Sequence, residues 1–145
     1  MHVRHILQDK GHDIIAVASS ATLQEVARIL SDKKIGALVV KGKTGALAGI
    51  ISERDLVRAV ANKGAGALSE AVDQHMTKAP RTCAETDSVE TIMEVMTRGR
   101  FRHVPVLDED ERLCGMVSIG DVVKIRIAET VREAAALRDY ISAAV

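Results

Sequence analysis

The chain has 145 residues, with 20 Lys and Arg against 20 Asp and Glu, and this zero formal charge argues against bulk nucleic-acid binding. Apolar residues at 47% and charged residues at 28% describe a globular chain, one compact unit or two small halves sharing a core, and not a disordered one. Aromatic residues amount to 1%, which removes base-stacking platforms for single strands, and no run approaches the roughly eighteen apolar residues that would span a membrane.

Met1-His2-Val3-Arg4-His5 lacks the apolar stretch of a signal peptide and reads as a frayed end. His2, His5, His12 and Asp13 therefore make a poor metal site, and no metal is expected. A short strand follows at Ile14–Val17, then a helix opening at Thr22, where Glu25 has capping-box spacing. Leu23, Val26, Ala27 and Leu30 form the apolar stripe of that helix. A strand at Ala37–Val40, a polar turn at Lys41–Gly45 and a strand ending at Ser52 suit a hairpin. Gly42-Lys43-Thr44 imitates the end of a phosphate-binding loop, but the glycine that loop needs is Ala37, and no helix follows. A second helix begins after Ser52, and Asn62–Ala67 reads as a small-residue linker.

The pattern then repeats at an offset of 66 residues: Gly49-Ile50-Ile51-Ser52-Glu53-Arg54-Asp55 is echoed by Gly115-Met116-Val117-Ser118-Ile119-Gly120-Asp121. The stripe residues map onto Val89, Ile92, Met93 and Met96, in a helix opening near Asp87 and Ser88, with Asp87 and Glu90 as a looser capping box. Pro80–Cys83 and His103–Leu107 are the matching strands, Asp108–Glu111 is the matching turn, and the last helix runs from about Ile119 to Ile141. Its Ile127, Val131, Ala134, Ala135 and Leu137 form an apolar side in need of a partner. Each copy thus reads β-α-β-β-α, an α+β fold (α/β by some schemes) with two copies around a pseudo-two-fold axis.

Two copies of Gly, two apolar residues, Ser, two variable residues and Asp, each after the matching helix and strand, resemble the cystathionine-β-synthase-type (CBS) domain. The tandem resembles a Bateman module, with one repeat at 5–66, a second at 67–130 and an extension of the last helix at 131–145. The resemblance implies an adenosine-containing ligand between the copies: AMP, ADP, ATP or NAD(H), with S-adenosylmethionine as a variant. It also implies a homodimer that regulates a partner in trans, without catalysis. A ligand-free dimerisation module is the alternative.

The resemblance carries a ribose role onto Asp55 and Asp121. A carboxylate has two oxygens to accept both hydroxyls, and Ser52 and Ser118 stand beside them at helix N-termini that favour an anion. The same Ser-x-x-Asp spacing is also a capping box, worth about 1 kcal/mol per helix. Arg102 and His103, flanked by Arg100, match the basic positions that reach phosphate in the family, and Arg54 is a further phosphate candidate. Gly36 and Ala37 stand where Arg102 and His103 stand in the second copy, so the two sites differ, and their small size lets a base approach the strand. Adenine would lie among aliphatic residues such as Ile14, Ile35, Val104 and Met116, with Asp13 and Lys78–Arg81 near the floor. Ile14 and Pro105 complete the residues assigned to the nucleotide. Cys83 and Cys114 fit neither a disulfide framework nor zinc spacing and are read as inert thiols of a cytoplasmic protein.

Overall fold

The computed structural model describes residues 1–144; Val145, the last residue of the expected C-terminal extension, lies outside them. Five helices and two small sheets make up the mixed α+β architecture that the repeat implies. In the first half, β1 (Ala16–Ala18), α2 (Leu23–Lys33), β2 (Ala37–Lys41), β3 (Leu47–Ser52) and α3 (Glu53–Lys63) follow the expected order. In the second, β5 (Cys83–Ala84), α4 (Val89–Gly99), β6 (His103–Leu107), β7 (Leu113–Ser118) and α5 (Ile119–Ala143) do the same. Two further elements, α1 (Val3–Lys10) and β4 (Thr77–Lys78), precede these halves in the chain.

β1 pairs parallel to β2, which forms an antiparallel hairpin with β3; β5, β6 and β7 repeat the arrangement. The two first strands begin later than expected. Parallel pairing aligns Ala16 with Val39 and Cys83 with Val106, so Ile14, Ile15 and Pro80–Thr82 lie outside the ladders. Thr22 caps α2 in a reciprocal box with Glu25, as its spacing requires. At α4 the box differs from expectation. Ser88 is the cap, accepting from the Thr91 N–H, while Asp87 turns back to accept from the Ala84 N–H at 2.9 Å. The Lys41–Gly45 turn is a hairpin closed by Gly42 N–H to the Ala46 carbonyl at 2.9 Å, with Gly45 at φ 82°.

The helix stripes bury as their periodicity demands. Leu23, Val26 and Leu30 join Leu38, Val40 and Ile51 in one core; Val89, Ile92 and Met96 join Val104, Val106 and Val117 in another. Side chains alternate along a strand, so Val39, fully buried, points away from the face of β2 that carries Leu38 and Val40. Pro105, its equivalent on β6, is buried between Val104 and Val106 in the same way.

Each core borrows a segment from the other end of its neighbour. The expected frayed terminus is instead α1, whose Val3, Ile6 and Leu7 have helical spacing and are buried in the second core. The expected linker is also packed: a 3-10 turn at Gly64–Ser69 and another at Val72–Gln74 bury Ala67 and Val72 in the first core. The two segments dock alike, His2 bridging to Ser88 and Ala71 to Thr22, an offset of 69 residues. The packing units therefore cut across boundaries drawn at 5–66 and 67–130.

The same exchange explains the glycine that opens each motif. A Cβ on Gly49 would lie 2.6 Å from the Met76 sulfur and from the Thr77 carbonyl oxygen, and one on Gly115 would lie 2.7 Å from Leu7 Cδ2. Both glycines let the borrowed segment cross the strand, at Met76 in one copy and at Leu7 in the other, again 69 apart.

Candidate functional site

Where the ends of β2 and β6 approach each other, the two halves leave a cavity of about 770 Å³. The first half contributes Gly36, Ser52, Arg54, Asp55 and Arg58; the second contributes Arg100, Phe101, Arg102, His103 and Ser118; Thr77, Ala79 and Arg81 close it from the connecting segment. Five arginines and two acidic side chains, Glu53 and Asp55, stand in this wall, so its charge is positive.

Ser52 caps α3, and Asp55 returns the bond. Its Oδ2 accepts from the Ser52 N–H at 2.9 Å and from the Ser52 hydroxyl at 3.0 Å, while Oδ1 faces the exposed Arg58 guanidinium at 3.6 Å. One oxygen is thus committed to the helix cap, and the other is turned toward an exposed guanidinium whose ion pair is weak in water. Capping and ligand binding are compatible at this residue because they use different oxygens.

Asp121 is differently placed. Its Oδ2 accepts from the Ser118 N–H at 2.9 Å and also from the Lys10 ammonium at 2.8 Å. Burial by itself would raise this carboxyl, but the Lys10 and Ser118 hydrogen bonds outweigh it and hold the group below the usual carboxylate range. Asp121 does not line the cavity, and neither do Ala37, Ile14 and Pro105. Ala37 and Pro105 lie within the buried strands, and Ile14 lies ahead of β1. Eight of the twelve residues singled out in the sequence are brought together: Gly36, Ser52, Arg54, Asp55, Arg100, Arg102, His103 and Ser118. Arg58, Phe101 and Glu53 were missed. Arg58 sits one helical turn beyond Asp55, a spacing that marks it as a neighbour of the carboxylate once α3 is drawn.

The His103 imidazole faces the bare Cα of Gly36: a Cβ there would lie 3.3 Å from Cε1. Burial lowers the His103 pKa, Lys10 and Arg102 push the same way, and Asp121 and Glu53 oppose them.

Nucleophilic chemistry finds no primed group in the thiols. Burial pushes Cys83 up to about 12, and burial with the adjoining Glu85 pushes Cys114 up to about 11. The N-terminal histidines are spent on structure. His5 Nδ1 accepts from the His2 N–H at 2.9 Å, and His12 Nδ1 bonds the Cys114 carbonyl at 2.9 Å. His12, Glu85 and Cys114 bring donor atoms within 4.8 Å of one another, and a cation there would first have to displace the proton of the raised thiol. No helix among the described residues is long and apolar enough to cross a membrane.

The fold is a tandem of two β-α-β-β-α copies with a cleft between them, and the comparisons with known proteins agree with that architecture. The CBS domain model matches residues 3–62 and 70–128, so the chain belongs to the CBS-domain family, with two copies in tandem. It is similar to a crystal structure of a CBS-domain containing protein from Agrobacterium tumefaciens (46% identical, TM-score 0.83, 86% of this chain and 92% of that one). Among curated proteins it is similar to the mitochondrial CBS domain-containing protein CBSX3 of Arabidopsis thaliana, 37% identical over 83% of this chain. The chain spans 60% of that relative's length and 66% of the next, so those proteins carry further sequence outside the match. Two similar structures hold adenosine compounds. A CBS domain protein from Pyrobaculum aerophilum is complexed with AMP (28% identical, TM-score 0.75, 83% of this chain and 89% of that one). A CBS domain pair is complexed with 5′-methylthioadenosine and S-adenosyl-L-methionine (26% identical, TM-score 0.78, 89% of this chain and 98% of that one).

Proposed function

We propose that this chain is a regulatory module without catalysis, which binds an adenine nucleotide (AMP, ADP, ATP or NAD(H)) in the cleft at Asp55 and passes the signal to a separate partner. The observation that carries this reading is the cavity of about 770 Å³ with a capped carboxylate on one wall and five arginines around it. That volume suits a mononucleotide-sized ligand, and ligand sites of this size use a few placed polar groups on a largely apolar wall. In this reading Asp55 accepts the ribose hydroxyls, displacing Arg58. Arg102, His103, Arg100 and Arg54 hold phosphate, where guanidinium groups give paired, charge-assisted bonds. The CBS relatives bound to AMP and to S-adenosyl-L-methionine support an adenosine ligand, and the arginines favour one that bears phosphate. S-adenosylmethionine binding, through the same ribose contact, is the second variant.

The output requires unequal affinity of the nucleotide for two states of the module. We place that change in a homodimer built on α3 and α5, where Val57, Val123, Ile127, Val131, Leu137 and Ile141 are exposed. The two free cysteines suit a reducing compartment, which we take to be the cytoplasm.

Calorimetric titration with AMP, ATP, NADH and S-adenosylmethionine tests the reading. Saturable binding of a phosphate-bearing ligand, weakened at least ~10-fold by Asp55→Ala in a folded variant, is the expected result. Silence with every ligand, in protein shown to be free of co-purified nucleotide, would leave a dimerisation module whose Ser-x-x-Asp motifs only cap helices.

A further inference from the structure

The two carboxylates that the internal repeat makes equivalent are not equivalent in the folded chain. Asp55 opens on the cavity, with only an exposed arginine at 3.6 Å from its outer oxygen. Asp121 already holds a cation: the Lys10 ammonium donates to its Oδ2 at 2.8 Å and to the Met116 carbonyl at 2.9 Å.

The placement of Lys10 follows from the segment exchange. α1 is anchored by Val3, Ile6 and Leu7 in the second core, and Leu7 crosses β7 over Gly115. One helical turn beyond Ile6 lies Lys10, at the end of α1 and beside the edge of β7. Two residues later His12 bonds the Cys114 carbonyl on that same strand at 2.9 Å. Cys114 and Met116 are alternate residues of β7, which has a partner strand on one side only. In the first half the matching edge of β3 is covered by β4, paired to Gly49 and Ile50. In the second half, side chains of the N-terminal segment do that work. Met116 and Pro105 form a non-hydrogen-bonded pair of the hairpin, so the Met116 carbonyl points to the open edge of β7, where Lys10 donates to it.

Counting on by the same offset that relates Leu7 to Met76 brings Lys10 to Ala79. Ala79 lines the open cavity near Asp55, with a side chain too short to reach any carboxylate. One segment therefore ends in a lysine that fills its site, and the other ends in an alanine that leaves its site free.

We propose that Lys10 is a built-in occupant of the second carboxylate site, so that each chain takes one nucleotide, at Asp55, and Asp121 is held as the partner of Lys10. This rests on the nucleotide reading above and deepens it, since Lys10 becomes the residue that sets stoichiometry. Lys10 sits on Oδ2, so a ribose whose two hydroxyls engage both oxygens of Asp121 would have to displace a tethered ammonium that already makes two hydrogen bonds, where a hydroxyl brings no compensating charge.

The test uses the full chain and AMP as the probe, titrated calorimetrically into the wild type, Lys10→Met, Asp55→Ala and the double variant. The expected stoichiometry is one per chain for the wild type and two for Lys10→Met. Asp55→Ala should lose binding, and Lys10→Met in that background should restore one equivalent. Two equivalents in the wild type, or no second equivalent in Lys10→Met, would overturn the assignment. Thermal melting of Lys10→Met, Asp121→Asn and their double variant reads the contact without nucleotide. The double variant should lose no more than the larger single loss, whereas additive losses overturn the contact itself. A wild type that binds no AMP while the melts show coupling rejects the nucleotide reading and its stoichiometry, and leaves the Lys10–Asp121 pairing standing as structural.

Discussion

The imidazole of His103 packs against Gly36, 3.3 Å from where a Cβ would stand, so the two copies meet at the equivalent ends of β2 and β6 through one ring and one missing side chain. A Gly36→Ala change asks the ring to yield by a few tenths of an ångström, and Gly36→Val asks for much more. The alanine variant is expected to cost under ~1 kcal/mol and the valine variant ~1–3 kcal/mol, with a parallel loss of AMP affinity. Chemical denaturation beside AMP titration checks both. A valine variant with wild-type stability and affinity would show that the ring does not need this space.

His103 also gives the cleft a pH response. Its folded pKa lies below the unfolded value because burial disfavours the charged ring. Its contribution to stability is therefore full above the unfolded range, about pH 6.5, and is lost as pH falls through the lower folded value. A nucleotide phosphate beside the ring would oppose that preference, so AMP binding is expected to take up protons and to tighten as pH falls toward the ordinary histidine range, about pH 6.5. Binding heats in buffers of different ionisation enthalpy measure that uptake. A His103→Gln variant with the same uptake would assign it elsewhere.

The acid limb of stability should carry the Asp121 signature. This carboxyl is held below its unfolded value by Lys10 and Ser118 against the opposing effect of burial. Its contribution is present above the unfolded carboxyl range, near pH 4, and disappears as pH falls through the lower folded value. Asp121→Asn is expected to flatten urea-midpoint curves below about pH 4 relative to the wild type. An unchanged slope would place the acid sensitivity on other carboxylates.

Both thiols should resist alkylation. At about 11, Cys114 is thiolate in roughly one molecule in ten thousand at pH 7, and Cys83, at about 12, in fewer. Iodoacetamide labelling of the native chain is expected to run on the order of 100-fold slower than that of free cysteine, reaching the free rate in denaturant. Fast native labelling at Cys114 would reopen nucleophilic chemistry at that strand.

The long helix carries the dimer prediction. Of α5, Val122 is the buried residue, while Ile127, Val131 and Leu137 are more than half exposed. Ile127→Asp with Val131→Asp should halve the sedimenting mass at micromolar concentration and leave AMP binding in place. A wild-type monomer at that concentration would reject the dimer outright.

Much of this molecule was legible in the residues themselves. The 66-residue echo, the helix stripes and the Ser-x-x-Asp caps are local patterns, set by side-chain periodicity and by hydrogen bonds spanning three residues, so α2–α5, the hairpins and both capping boxes at Ser52 and Ser118 follow from the chain alone. Eight residues that line the cleft came from the resemblance to the CBS family, carried by the two Ser-x-x-Asp motifs and the basic run ahead of β6, and they stand at the junctions of strands and helices. What the tertiary structure decided is non-local. Val3, Ile6 and Leu7 are too few to announce a helix in an apparently loose terminus, and only the second core, which begins at Cys83, gives them something to bury against. That docking carries Lys10 to Asp121, while the equivalent stretch brings Ala79 to the rim of the open cleft. A repeat makes two sites look alike in sequence; which of them is open depends on the segment each half borrows, and no periodicity within either copy records that exchange.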